Sequence, residues 1–394
     1  MAGLLVSSLA LVGYALLGWQ GSAQSGVRLL APLGEAPSFS VLIAGLDVEY
    51  CAWATPRAPA RRCKPGETSG LVDGNHTDTL ILADFAKTQV RLLSVPRDTW
   101  LPRVGRKINA SYKVGGPERL KTDLESLLGK RIDYYAVVHT EYVETVIDAV
   151  GGLDVTVPKG QKVDFTDRAA GVDFHLTEGQ HHLGGRDGVL FLRVRKGFGD
   201  DYGRMDRQKS AIGQLLNKIR TPQGLGALPG LLKNFGSGVE TNANLSLLEA
   251  MRPHLPSYRL DGATLPTQEI PGFTGLAVNR EALSKLENPD RALQNPLENV
   301  SARIVNASGV EGLGRKLQTY LERRGFKKIS VESGDKSGEP SQVITRTELA
   351  AAERYASLLG LSKLQALRLP VNAGEVMIYL GADAGERFAA LQSL

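Results

Sequence analysis

The chain has 394 residues, of which 42% are hydrophobic and 23% charged, with 44 Gly and 19 Pro dispersed along it. That length supports two or three folded units, and the balance excludes collagen-like, coiled-coil and disordered classes. Lys plus Arg total 47 against 42 Asp plus Glu, a formal +5. This is too mild to argue for nucleic acid and equally compatible with an anionic membrane or a phosphate-rich polymer, so the arrangement of charge must decide.

The one long apolar run, Gly3 to Trp19 (GLLVSSLALVGYALLGW), approaches the hydrocarbon thickness of a bilayer if helical. No Lys or Arg precedes it and the first is Arg28, so residues 1–25 are read as an uncleaved single-pass anchor at the cell membrane. A cleaved export signal ending near Gly21-Ser22-Ala23 is the rival. On either reading the remainder is expected outside the cytoplasm. There Cys51 and Cys63, in a Pro/Arg-rich stretch, make a plausible loop staple. With no further Cys or His beside them, a zinc site is not expected.

Residues 39–46 (FSVLIAGL), 79–84 and 88–95 read as β-strands, the last two as a hairpin. PERLKTDLESLL, 117–128, spaces Leu120, Leu124, Leu127 and Leu128 as a helix from Pro117 to Gly129. A strand at 133–139 follows. Thr140 is expected to cap a helix bearing Val143, Val146, Ile147 and Val150, which Gly151-Gly152 ends before the strand LDVTVP. A further helix is predicted from about 204 to 219, and the Gly/Pro-rich TPQGLGALPG after it reads as a loop. This alternation predicts a layered α/β/α unit over 36–286 around a central mixed sheet. A polar, proline-bearing linker is expected over 287–300. A compact βαβαβ unit is expected over 301–394, with strands at 302–306, 328–332 and 376–380 and helices bearing Leu313, Leu317, Tyr320 and Leu321 and spanning about 347–360.

The segment 186–208, RDGVLFLRVRKGFGDDYGRMDRQ, concentrates charge. On a helix from 204, Ile212, Leu215, Leu216 and Ile219 share a stripe, and Arg204 and Gln208 fall on or beside it at ~100° per residue. A guanidinium aimed inward requires a partner, because an unpaired buried charge is prohibitive. Arg193 and Arg195, two apart on an extended piece, would point the same way. With Arg207 nearby, these donors read as a clamp for a pyrophosphate-like polyanion. Internal pairing with Asp200 and Asp201 is the structural alternative. Asp47 and Asp78 stand at strand ends, as do Arg97 and Asp98. Two carboxylates near a phosphate site suit a hard cation, Mg²⁺ first and Mn²⁺ second. KINASY offers Lys107, Asn109 and Tyr112 as phosphate or sugar contacts.

HTDTLILA, SVPRDTWL, KINASY, GGLDVTVP, LTEGQHHLGGRDGVLFLRVRK and DDYGRMDRQ, in that order, resemble the LytR-CpsA-Psr family of bacterial cell-envelope proteins over about 39–285. The tail, ARIVNASGVEGLGRKLQTYLERRGF through VMIYLGAD, resembles the LytR C-terminal domain. The resemblance implies a membrane-anchored phosphotransferase. Such enzymes move a glycopolymer from an undecaprenyl-pyrophosphate carrier to peptidoglycan, with Mg²⁺ at the pyrophosphate and an apolar pocket for the prenyl tail, expected here among helices 117–150 and 204–219. It places Asp47 and Asp78 at the metal. Arg97, Arg193, Arg195 and Arg204 are the catalytic candidates, and Lys107, Asn109, Arg207 and Gln208 the substrate-binding ones. His76 stands where the family usually has Arg, and the loop between Asp47 and Asp78 is unusually long. The same site with water as acceptor would be a polyprenyl-pyrophosphate pyrophosphatase; a non-catalytic wall-binding adaptor is the other alternative. A nucleic-acid partner is not expected, since there is an export segment and no helix-turn-helix pattern.

Overall fold

The computed structural model describes residues 35–46, 50–52, 61–62, 77–167, 172–194, 198, 200–233, 235–287, 300–368 and 371–392. The Gly3–Trp19 run, Asp47, Cys63, His76, Arg195 and the linker at 288–299 lie outside them, and with them the expectations for anchor, staple and linker. Among the described residues no helix is long and apolar enough to cross a membrane.

Eleven strands form one sheet. They are β1 (Phe39–Leu46), β2 (Thr77–Ala86), β3 (Gln89–Val95), β4 (Tyr134–Val138), β5 (Val239–Thr241), β6 (Arg259–Thr264), β7 (Ser301–Asn306), β8 (Ile329–Ser333), β9 (Gln342–Thr345), β10 (Ser362–Gln365) and β11 (Glu375–Leu380), in the order β5-β4-β1-β2-β3-β6-β10-β9-β11-β7-β8. β1 is buried at every position, which is why its sequence is continuously apolar rather than alternating. One face of the first half packs Leu42, Leu80 and Leu82 against Leu120, Leu124 and Leu127 of α1 (Ser111–Leu128). The opposite face packs Ile43, Ile81 and Ala83 beneath α2 (Thr140–Ala149), α3 (Gly185–Arg193), α4 (Asp201–Ile219) and α5 (Pro222–Lys233). The layered mixed-sheet architecture is therefore the one the alternation of elements predicts.

Local expectations differ in instructive ways. Thr140 does not cap α2; its hydroxyl donates to the Leu46 carbonyl at 2.9 Å, tying the helix start to the end of β1. α4 begins a turn earlier than its apolar stripe, because Asp200 caps it by accepting the Gly203 N–H at 3.1 Å. TPQGLGALPG is not a loop: 222–233 is helical, since burying Leu228 and Leu231 outweighs the weak propensity of its glycines. Gly224 is required there, because a Cβ would meet the Lys218 carbonyl oxygen at 2.2 Å. In the tail, α6 (Leu313–Glu322) and α7 (Leu349–Leu359) cover one face of their strands and form a separate core. The short strands β9 and β10 join the three strands expected there.

The tail meets the first unit by parallel pairing of β6 with β10, Asp261 opposite Lys363 and Gly262 opposite Leu364. Gly262 permits this approach, since a Cβ there would stand 2.7 Å from the Leu364 side chain. Beside this seam Lys209 of α4, 1% exposed, pairs with Asp206 at 3.0 Å and donates to Thr264 Oγ1 at 3.0 Å and to the Gln365 carbonyl. Burial pushes the Asp206 carboxyl up against the pull of Lys209. Removing one member of a buried pair strands the other charge. Lys209→Met should therefore cost about 3 kcal/mol, whereas Lys209→Met with Asp206→Leu should recover most of that loss in denaturant titrations.

Candidate active site

Asp78 is the second residue of β2, at the sheet's rim. Gly45 and Leu46 of β1 face Thr79 and Thr77, with a register shift between them. An irregularity of this kind at a strand end re-aims the adjoining side chains. The Arg97 guanidinium, just beyond β3, reaches the Asp78 carboxylate at 2.7 Å. From α4, Arg204 donates to the Asp78 carbonyl at 3.0 Å and pairs with Asp201 at 3.1 Å. One turn on, Gln208 donates to Thr79 Oγ1 at 3.2 Å. Residues distant in the chain thus meet at one point.

Burial alone would raise the Asp78 carboxyl, but the Arg97 and Arg204 charges outweigh it and hold the group below its ordinary value. Arg97 is raised in turn: burial disfavours its charge, and Asp78 more than restores it. The turn after β3 is fixed by Thr99, whose hydroxyl donates to the Pro96 carbonyl at 2.6 Å. The KINASY segment lies alongside, with the Asn109 N–H on the Arg97 carbonyl at 3.2 Å and Lys107 Nζ 2.8 Å from Asp98. Lys107 and Asn109 therefore stand beside Arg97. The sequence reading noted Asp98 at a strand end without giving it a partner and missed Thr79, although it adjoins Asp78.

Other candidates are placed differently from expectation. Arg204 is 1% exposed, so it acts on the Asp78 backbone and Asp201 rather than on solvent, while Arg97 keeps 21% of its side chain open. Internal pairing with Asp201 is thus correct for Arg204. Asp200 instead binds Arg368 of the tail. Arg193 is not on an extended piece but is the last residue of α3, whose helix buries Val189 to Leu192. The alternation that would align it with Arg195 does not hold. Arg207 is not poised toward the rim. It donates to the carbonyls of Phe198, at 2.8 Å, and Val194, and lies over the rings of Phe191 and Phe198. Its place is to tie Val194 and Phe198 to α4. Burial and the like charge of Arg204 push it down to about 10.

Among the described residues no group of three or more His, Cys, Asp or Glu is arranged to hold a metal. Asp78 nonetheless has the chemistry for a hard cation. It is ionised, and a carboxylate offers about four lone-pair sites, so the Arg97 contact does not exhaust it.

A cavity of about 440 Å³ lies one helix turn from Arg204, between α4 and the tail. Its walls are Leu153 to Thr156, Phe191 and Phe198, one side of α4 from Gly203 through Arg207 and Ser210 to Gln214, and Ile344, Met377 and Tyr379 of the tail strands. Helices 117–150 do not line it, so the expected pairing of those helices around a pocket is not found at this cavity. Glu339 faces it, and burial, with a smaller contribution from Asp154, raises this carboxyl to about 7. Because the fold favours the protonated form, the contribution of Glu339 to stability is fully present below the ordinary Glu value near 4.5 and is lost as pH rises through about 7. Glu339→Gln should remove that decline, gaining about 2 kcal/mol at pH 8 once screening by water in the cavity is allowed for, as read by denaturant unfolding across pH.

The profile of the LytR_cpsA_psr family matches residues 29–291, and that of the LytR cell envelope-related transcriptional attenuator matches 299–383. Among curated relatives, the polyisoprenyl-teichoic acid–peptidoglycan teichoic acid transferase TagV of Bacillus subtilis is 28% identical over 53% of this chain and 50% of its own. The regulatory protein MsrR of Staphylococcus aureus is 31% identical over 43% of this chain and 51% of its own. The chain thus spans about half the length of these relatives. The B. subtilis transferase TagU is 26% identical over 58% of this chain and 70% of its own. Among solved structures, protein gbs0355 of Streptococcus agalactiae superposes with a TM-score of 0.51 at 20% identity, over 65% of this chain and 87% of that one, a likeness of fold.

Proposed function

Because the chain belongs to the LytR-CpsA-Psr family, we propose that its rim site transfers a glycopolymer from an undecaprenyl-pyrophosphate carrier to peptidoglycan, forming a phosphodiester and releasing polyprenyl phosphate. The observation that carries the reading is the convergence of Asp78, Arg97, Arg204 and Gln208 from three separate elements on one sheet rim. The names of TagV and TagU supply the reaction class.

Phosphoryl transfer asks a protein mainly for position and for neutralisation of developing charge. Arg97 is the partly open guanidinium and is assigned to the diphosphate, with Lys107 and Asn109 beside it; Arg193, at the end of α3, and Arg195 are assigned to it on the family resemblance. Arg204 and Gln208 are assigned to holding Asp78 and Thr79 in register. Asp78, with Asp47, would hold Mg²⁺ or Mn²⁺, and such a cation would neutralise phosphate oxygens. Arg207 is assigned to fixing the connection that carries Arg195. Anchorage at the cell membrane, with this site on the outer side, is part of the same proposal and suits a lipid-linked donor and a wall acceptor.

Arg97→Ala should lower kcat by roughly 10²- to 10³-fold, the range for loss of one preorganised charge-stabilising donor, and should also lower the melting temperature, because Asp78 is left enclosed with one counter-charge fewer. Asp78→Asn should show the larger metal dependence. The assay supplies lipid-linked glycan with and without peptidoglycan and follows both products. Undiminished transfer by Arg97→Ala would overturn the assignment, and equal carrier cleavage without acceptor would make the protein a pyrophosphatase.

A further inference from the structure

The tail carries a charge distribution that neither its core nor the rim site uses. Residues 312–328, GLGRKLQTYLERRGFKK, hold six cations, Arg315, Lys316, Arg323, Arg324, Lys327 and Lys328, against the single acid Glu322. This one segment has a net charge of +5, as large as the formal charge of the whole chain. Leu313, Leu317 and Leu321 of α6 turn into the tail core, and Arg315, Arg323, Lys327 and Lys328 are exposed. Part of the acid nearby is engaged within the tail: Glu322 accepts from Gln318 at 3.0 Å, and Glu332 of β8 pairs with Arg303 of β7 at 2.6 Å. Glu311 and Asp335 are the remaining acids of the adjoining turns.

Local stability does not account for the arrangement. The helix dipole favours Arg323 and Arg324 at the carboxyl end, and Arg324 also lies 3.7 Å over the Tyr320 ring. The same dipole opposes Arg315 and Lys316, which occupy the amino end of α6 without an acid in its first turn. Lys328 holds a left-handed backbone at φ 55, where Gly or Asn would be less strained. Cations therefore stand where the helix and the turn would each prefer something else. α6 packs on β7 and β8, at the far edge of the sheet from β2, some seven strand spacings or on the order of 30 Å from Asp78.

We propose that this face is a docking track for a linear polyanion, a polymer bearing a phosphate or comparable anion in each repeat, long enough to reach from the tail to the rim site. Spaced, solvated Lys and Arg suit a repeating anion better than a single small ligand, since no enclosed pocket lies among them and each contact adds a counterion-release increment. The identity of that polymer as the transferred glycan rests on the function proposed above; the binding itself does not.

The test titrates the full chain with long-chain inorganic polyphosphate, tripolyphosphate and anionic phospholipid vesicles, at several salt concentrations. Long-chain polyphosphate should bind. Arg315→Gln, Arg323→Gln, Lys327→Gln and Lys328→Gln together should weaken that binding at least tenfold at low salt and make its salt dependence shallower by about three in log–log slope. The charge-conserving variant Arg315→Lys with Arg323→Lys should retain it. Binding is read with neither lipid-linked donor nor acceptor present, which separates this result from failure of the transferase reading. Unchanged binding by the quadruple variant, equal affinity for tripolyphosphate, or binding to vesicles in place of polyphosphate would each overturn the proposal.

Discussion

Everything at the rim depends on one carboxylate being kept charged while enclosed. Asp78 is 5% exposed, and an isolated carboxylate so placed would take up a proton. Arg97 supplies the compensating charge at the side chain, and Arg204 supplies a second through the backbone oxygen of the same residue. Arg204 is itself enclosed and would be prohibitively placed without Asp201. The group is therefore mutually obligatory: acid and base alternate, and removing either kind leaves the other uncompensated. Such an arrangement is costly to build for stability alone, because well-packed apolar residues of similar volume do as well or better. Its value lies in a fixed field at the point where three elements end.

The sheet explains why these residues meet. β1 and β2 are antiparallel, and β2 and β3 form a hairpin, so the end of β1, the start of β2 and the end of β3 share one edge of the sheet. Leu46 at the end of β1, Asp78 and Arg97 are neighbours by topology even though the intervening chain is long. The bond from Thr140 to the Leu46 carbonyl adds the start of α2 to the same edge. Strand pairing sets most of this geometry within the register of a few hydrogen bonds, and the turn that carries Arg97 is held by Thr99 on the Pro96 carbonyl.

How much of this was legible in the sequence follows from the same physics. β1, the β2–β3 hairpin, α1 beyond Pro117 and α2 were readable because their burial imposes a period on the residues. The acidic and guanidinium participants were readable because charged residues at strand ends and on an apolar stripe require partners. The directions of individual side chains were not. Arg193 and Arg195 look alternating in isolation, but packing of Val189 to Leu192 carries the helix through Arg193. Arg207 looks equivalent to Arg204 in a list of cations, yet three residues of helix rotate it onto the carbonyls of Val194 and Phe198. TPQGLGALPG has the composition of a loop, and only contact with the neighbouring helices makes a helix of it. β9 and β10 are four residues each, too short for alternation to mark them, and they exist because the sheet extends across both units.

α4 shows how the two units become one object. Arg204 and Gln208 face the rim, Arg207 faces the connection after α3, and Asp206 and Lys209 face the seam with β10. Three consecutive faces of one helix are thus committed to three different structures, and a rotation that improved one would break the others. Asp200, the cap of the same helix, binds Arg368 on the tail side, and the Arg368 N–H donates to Asp206 at 3.0 Å. The tail therefore grips the helix over its first two turns, the part that presents Arg204. A helix end held only by its cap frays readily, since its first N–H groups lack partners within the helix. Contacts from the tail raise the free energy of that local opening, so order at the rim depends on a unit whose own core lies elsewhere in the sheet.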